Sequence, residues 1–252
     1  MLLEHRNAVV YGAAGGIGTA VSKAFAAQGA RVFLAGRTGS KLTALADEIR
    51  AAGGSAETAE VDALDARAVD AHADEVAEAG GSLDISFNLI SIQDVQGTPL
   101  AEMDVEDFLR PVETALRSQF LTVRAAARHM MPRGGGVILA FGGAGDPVRG
   151  YSLGGLQVAF EAVESMRRQV SSEMGPHGVR FVTLRTGGIP ETIPADFAGR
   201  DVLTTSLEEM TMLGRCATLD DVANAAVFAA SDLGRSMTAA TLNLSCGALI
   251  DR

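Results

Sequence analysis

Hydrophobic positions along the chain follow two periods in alternation. Short runs at 8–11, 31–35, 56–61, 83–89, 136–141, 180–184 and 241–244, most of them rich in Val, Ile, Leu and Phe, read as strands and predict a sheet of about seven. The stretches between them, 18–28, 38–52, 66–79, 105–131, 151–174 and 219–230, carry apolar residues three and four apart, the spacing of a helix with one buried face. Strand and helix in turn predict α/β architecture, a doubly wound parallel sheet with helices on both faces, because parallel neighbours need a crossover of helix length. One connection breaks the rhythm. Between 187 and 214 the chain reads Gly-Gly-Ile-Pro, then Ile-Pro-Ala-Asp-Phe, then a short helical pattern at 207–213. An insertion of that length predicts a substrate lid at about 188–213 within a single domain spanning 1–252.

Composition narrows the function. A chain of 252 residues, 47% hydrophobic and 21% charged, has ordinary globular make-up and is long enough for one sizeable core. No apolar run reaches the roughly 18 residues of a membrane span, and Met1–Arg6 lacks a basic region followed by an apolar stretch, so a soluble, cytoplasmic protein is expected. Cys216 and Cys246, the two cysteines, have no metal-site spacing, nor do His5, His72, His129 and His177, so no metal is expected. Acidic residues outnumber basic ones 31 to 21, for a formal charge of −10, which argues against nucleic acid as a partner. Lys23 and Lys41 are the only lysines.

The first strand runs into Gly12-Ala13-Ala14-Gly15-Gly16-Ile17-Gly18, after which a helix begins. A glycine turn that opens a helix lets backbone N–H groups approach a pyrophosphate, and the helix dipole favours the anion. Gly12, Ala14, Gly15, Gly16, Ile17 and Gly18 are therefore candidate cofactor-binding residues. The spacing is that of T-G-x-x-x-G-x-G, with Tyr11 in place of the threonine. With this turn, Val61-Asp62-Ala63, the strand ending Phe87-Asn88, and the closing run Leu213-Gly214-Arg215, Asp220-Asp221-Val222-Ala223-Asn224 and Ala229-Ala230-Ser231-Asp232, the chain resembles a short-chain dehydrogenase/reductase along essentially its whole length.

That resemblance implies a single-domain Rossmann fold and a nicotinamide cofactor. It places Asp62 and Ala63 beside the adenine, Asn88 at the strand before the family's N-N-A-G, and Gly187, Ile189 and Thr192 around the nicotinamide. Gly36 falls where NAD-dependent members carry an acid, and Arg37 offers a guanidinium to a 2′-phosphate, so NADP(H) is favoured over NAD(H). The family's Asn, Ser, Tyr and Lys set is mostly unfilled. Aligning Tyr151-Ser152-Leu153-Gly154-Gly155 with Y-x-x-x-K keeps Tyr151 as catalytic candidate and puts Gly155 at the lysine, while Gly142 falls at the serine and Ala115 at the asparagine. Lys23 and Lys41 are expected to point away from the strand ends where chemistry should occur, leaving Arg149 and Arg185 as the nearby cations. Backbone N–H groups of the turn at 142–145 could stand in for the serine hydroxyl.

These readings lead to an atypical NADP(H)-dependent reductase acting on a carbonyl of a small to medium apolar molecule, with Tyr151 as proton donor. Two alternatives stay open. One is a non-redox lyase, isomerase or cyclase on the same scaffold, and the other a non-catalytic cofactor-binding homologue. Members of the family pair through their two long helices, here 105–131 and 151–174, so a homo-oligomer, dimer or tetramer, is expected.

Overall fold

The computed structural model describes residues 1–142 and 151–250. Seven strands, β1 (Asn7–Tyr11), β2 (Arg31–Gly36), β3 (Ser55–Glu60), β4 (Ile85–Asn88), β5 (Gly136–Gly142), β6 (Val179–Arg185) and β7 (Ala240–Asn243), form one sheet in the order β3-β2-β1-β4-β5-β6-β7. Every pairing is parallel. The helices are α1 (Gly16–Ala27), α2 (Gly39–Ala51), α3 (Ala66–Gly80), α4 (Val105–Met130), α5 (Leu156–Met174), α6 (Arg200–Glu209) and α7 (Leu219–Ala230). None of them is long and apolar enough to cross a membrane. The architecture is the doubly wound, single-domain α/β fold that the alternating pattern predicts.

Apolar side chains divide between the two faces of the sheet. Ala8 and Val10 with Val32, Leu34, Phe87, Leu139 and Leu184 meet α1, α2 and α7, while Val9 and Tyr11 with Phe33, Ala35, Ile138, Ala140 and Phe181 meet α3, α4 and α5. All five residues of β1 are buried, as a central strand covered on both sides requires. The helices start at built stops. Asp65 caps α3 by accepting from the N–H groups of Arg67 and Ala68 at 2.8 and 3.2 Å, and Thr218 with Asp221 forms a capping box on α7.

Two helices depart from the pattern. The expected helix at 151–174 begins five residues later, at Leu156. Gly154 lies at φ +56°, where a Cβ would stand 2.5 Å from the Val95 carbonyl oxygen, and a Cβ on Gly155 would stand 2.1 Å from that of Phe108. The segment before α5 is therefore wedged against α4 and the loop after β4, with the Gly97 N–H donating to the Ser152 carbonyl at 2.8 Å. The helix within the 187–214 connection is α6 at Arg200–Glu209 rather than 207–213. None of its residues is buried, and its half-buried Leu203 and Leu207 make a single pair four residues apart, too short a pattern for periodicity to mark.

One buried group ties stability to acidity. His72 on α3 packs edge-on to the Tyr11 ring at 5.9 Å, its Nδ1 has no hydrogen-bond partner, and burial lowers its pKa from 6.5 to about 4. Between those values the unfolded chain binds the proton and the folded one resists it, so folding stability should fall as pH drops from about 6.5 to 4, by up to about 3 kcal/mol. Denaturant titrations across that window are expected to show this slope, and His72→Leu should flatten it.

Candidate functional site

Strand order reverses between β1 and β4. The chain after β1 passes through α1 towards β2, the chain after β4 passes through α4 towards β5, and the two connections part at the carboxyl ends of the strands. Such a switch point leaves a crevice. Here it is a cleft of about 860 Å³ walled by the glycine turn, the ends of β2, β3 and β4, α4, α5 and Thr192.

The glycine turn is shaped by three different demands. Gly12 takes φ +75° against the end of β4, where a Cβ would stand 2.5 Å from the Leu89 carbonyl oxygen. Gly18 packs α1 onto the turn, since its Cβ would come within 2.3 Å of the Gly12 carbonyl oxygen. Gly16 faces open space, with only the Thr192 methyl within reach of a Cβ, at 3.8 Å. That space at the start of α1, whose first turn carries no acidic residue, is a cradle for an anionic group beside unspent N–H donors. Gly12, Ala14, Gly15, Gly16, Ile17 and Gly18 all line the cleft.

At one end Gly36, Arg37, Thr38 and Lys41 face Asp62, Ala63 and Leu64. Arg37 and Lys41 are exposed and belong to no ion pair among the described residues, and Asp62 accepts from the Leu64 N–H at 3.0 Å. Lys41, in the first turn of α2, lines the same cleft as Arg37, a placement the sequence reading did not give it.

At the other end the surface is mostly apolar: Ile90, Ile92, Ala115, Phe141, Leu156, Phe160 and Val163, with Thr114, Ser118 and Gln119 from α4. Asn88 lines the cleft, but its side chain is engaged, donating to Ser118 Oγ at 2.9 Å and accepting from the Ile90 N–H at 3.2 Å. Arg37, Lys41, Asp62 and Asp94 are the ionisable side chains among the described lining residues. Only Asp94 comes from the loop after β4, and it accepts from Gln96 Nε2 at 2.5 Å.

Tyr151 does not line this cleft. It lies in the coil before α5 and is 46% exposed. The pair four residues apart that α5 presents to the cleft is Leu156 and Phe160, because Gly154 and Gly155 delay the helix. Gly187 and Ile189 also lie off the cleft wall. Gly187 is pressed against Ala248, and the Ile189 side chain is buried in the core on the α1 side, while Thr192 does line the cleft and donates its hydroxyl proton to the Ile189 carbonyl at 2.8 Å. Arg149 and the part of the 142–145 turn beyond Gly142 lie outside the described residues. Arg185, at the end of β6, borders a separate cavity of about 200 Å³ that shares Phe141, Phe160 and Val163 with the main cleft.

A switch-point crevice on a seven-stranded parallel sheet fits the nucleotide-binding α/β class, and the chain belongs to the short-chain dehydrogenase/reductase family. The family model described as Enoyl-(Acyl carrier protein) reductase matches residues 12–248. The chain is 33% identical to L-rhamnose 1-dehydrogenase (NAD(P)(+)) of Azotobacter vinelandii, covering 100% of this chain and 99% of the relative. It is 31% identical to galactitol 2-dehydrogenase (L-tagatose-forming) of Cereibacter sphaeroides, covering 97% and 95%. A short chain dehydrogenase from Burkholderia cenocepacia solved in complex with NADP superposes with a TM-score of 0.86 at 27% identity, over 98% of this chain and 99% of that one.

The position of Tyr151 is open to direct test. Tyr151→Phe is expected to keep whatever carbonyl reduction the wild type performs within about twofold, measured as initial rates. A fall of about 10² or more would return the tyrosine to the reacting atoms as proton donor.

Proposed function

We propose that the chain binds NADP(H) in the switch-point cleft and acts as an oxidoreductase on a carbonyl or hydroxyl group of a small to medium-sized molecule. The observation that carries this reading is the pairing of an open anion cradle at Gly16 with two uncommitted cations, Arg37 and Lys41, at the far end of one continuous cleft. In a protein of formal charge −10, an anionic cofactor needs local cations to approach, and a 2′-phosphate beside Gly36 meets no carboxylate from β2. The names of the relatives, dehydrogenases of sugars and polyols, and the NADP-bound neighbour support the same class of reaction.

The residues present fit the cofactor. The turn from Gly12 to Gly18 would hold the pyrophosphate through backbone N–H groups, Asp62 and Ala63 would flank the adenine, and Arg37 with Lys41 would hold the 2′-phosphate. Thr192 would border the nicotinamide half, with the backbone of Gly187 and Ile189 behind it. When bound, the nicotinamide supplies or accepts a hydride. Leu156, Phe160 and Phe141 exclude water from the reaction end and favour an apolar portion of the substrate. No tyrosine, histidine or lysine stands at that end among the described lining residues.

Leu156 and Phe160 also favour a second reading, a cofactor-binding homologue without redox turnover. The two readings separate when NADPH binding is measured alongside reduction of a panel of ketones, ketoses and aldoses. Binding with reduction supports the first, and binding without any reduction supports the second.

Calorimetric titration should give micromolar affinity for NADPH and at least tenfold weaker binding of NADH. Replacing Arg37 and Lys41 together by Ser is expected to weaken NADPH about tenfold to a hundredfold while leaving NADH unchanged. Equal affinity of wild type for both cofactors would overturn the NADP preference.

A homo-oligomer through α4 and α5 is part of the same proposal. Phe120 on α4 is 52% exposed and Val158 on α5 is 46% exposed, apolar surface that a monomer leaves in water. Light scattering at micromolar concentration is expected to give a dimer or tetramer, and a monomer would refute it.

A further inference from the structure

Glu60 is the last residue of β3 and pairs in register with Gly36, the last residue of β2. After Gly36 only Arg37 and Thr38 precede α2, so the start of that helix meets the end of β3. Gly39 opens the helix and leaves room there: a Cβ on it would overlap the Glu60 carboxylate and stand 2.9 Å from its carboxyl carbon. The helix itself supplies no anion at this place, since Thr38 makes no side-chain cap hydrogen bond and the first turn carries no acidic residue. A carboxylate is favoured beside the N–H groups of a helix start, which accounts for where the Glu60 side chain lies.

The charge of Glu60 is exposed and not neutralised. Glu57 on the same strand is paired with Arg31, and Asp62 accepts from the Leu64 N–H, whereas Glu60 enters no hydrogen bond or ion pair among the described residues. Arg37 and Lys41 stand two residues to either side of Gly39, and both line the cleft with Gly36, Thr38 and Asp62. We propose that Glu60 is a specificity-determining residue of the cofactor site: a negative charge that opposes the 2′-phosphate of NADP(H) and narrows the margin by which Arg37 and Lys41 favour that cofactor over NAD(H). Carboxylate and phosphate compete for one positive field, made by the two cations and the start of α2. NAD(H) presents a neutral 2′-hydroxyl at the same place and meets no such repulsion. The opposing charge comes from β3, so the end of β2 gives no sign of it. The inference rests on the cofactor-cleft reading above and adds to it the residue that sets the degree of discrimination.

The test uses Glu60→Gln, which keeps the side-chain length and removes the charge, with Glu60→Ala as a second variant in case the first folds poorly. Calorimetric titration of wild type and variants with NADPH and NADH gives the ratio of the two dissociation constants, and titration with 2′,5′-ADP and 5′-AMP confines the comparison to the adenosine end. Removing the charge should raise the preference for NADPH about threefold to tenfold at about 50 mM salt, through tighter NADPH with NADH kept within about twofold of wild type. The affinity for 2′,5′-ADP should rise as that for NADPH does, with 5′-AMP unchanged. At about 0.5 M salt most of the gain should vanish, because mobile ions screen an exposed charge, whereas a change in packing would persist. A ratio within about twofold of wild type at low salt, a rise produced by weaker NADH rather than tighter NADPH, or a gain that survives high salt would each overturn the role of Glu60 while leaving the cofactor reading in place. Failure of the wild type to bind any of the four nucleotides would overturn the cofactor reading, and the role of Glu60 with it.

Discussion

The close approach of Gly12 to the end of β4 is the contact on which the rest of the site depends. A side chain at Gly12 would overlap the Leu89 carbonyl, so only glycine lets the chain leave β1 in a left-handed turn while β4 ends directly beside it. With the two strands adjacent and their connections diverging, the crevice opens between them, and α1 starts with its N-terminal N–H groups facing it. The tight packing of Gly18 on the same turn fixes where α1 begins. The cradle at Gly16 is what remains between these two contacts.

A second glycine contact governs the opposite end of the cleft. Gly155 abuts the Phe108 carbonyl oxygen and Pro111 on α4, so α5 can start only after it. That delay turns Leu156, Phe160 and Val163 towards the cleft and leaves Tyr151 outside in a segment held by Gly97. The reaction end is thereby apolar in its walls, and the polar groups that remain there come from α4 and from the loop after β4.

Charge is distributed to match. Acidic residues dominate the protein as a whole, while among the described lining residues the cleft holds Arg37, Lys41 and Asp62 at one end and Asp94 on the loop after β4. The connection after β6 adds Thr192 to this wall, and Glu191 beside it accepts from the Leu219 N–H at 2.6 Å, which ties that connection to the start of α7.

The sequence by itself determined the parallel α/β class, the seven strands within a few residues, the glycine turn and the family. These rest on local features: hydrophobic period, and glycines where the backbone has no alternative. Arg37, Asp62, Ala63, Asn88 and Thr192 were singled out by the family resemblance, and all five line the cleft. Only the tertiary structure decided which residues of α5 meet the cleft, since the start of that helix depends on Gly154 and Gly155 packing against Val95 and Phe108, residues distant in the chain. It also decided that Lys41 lines the same cleft as Arg37, and that Gln119 is buried on α4. Burial and pairing between helices are set by packing, and no pattern within a single segment encodes them.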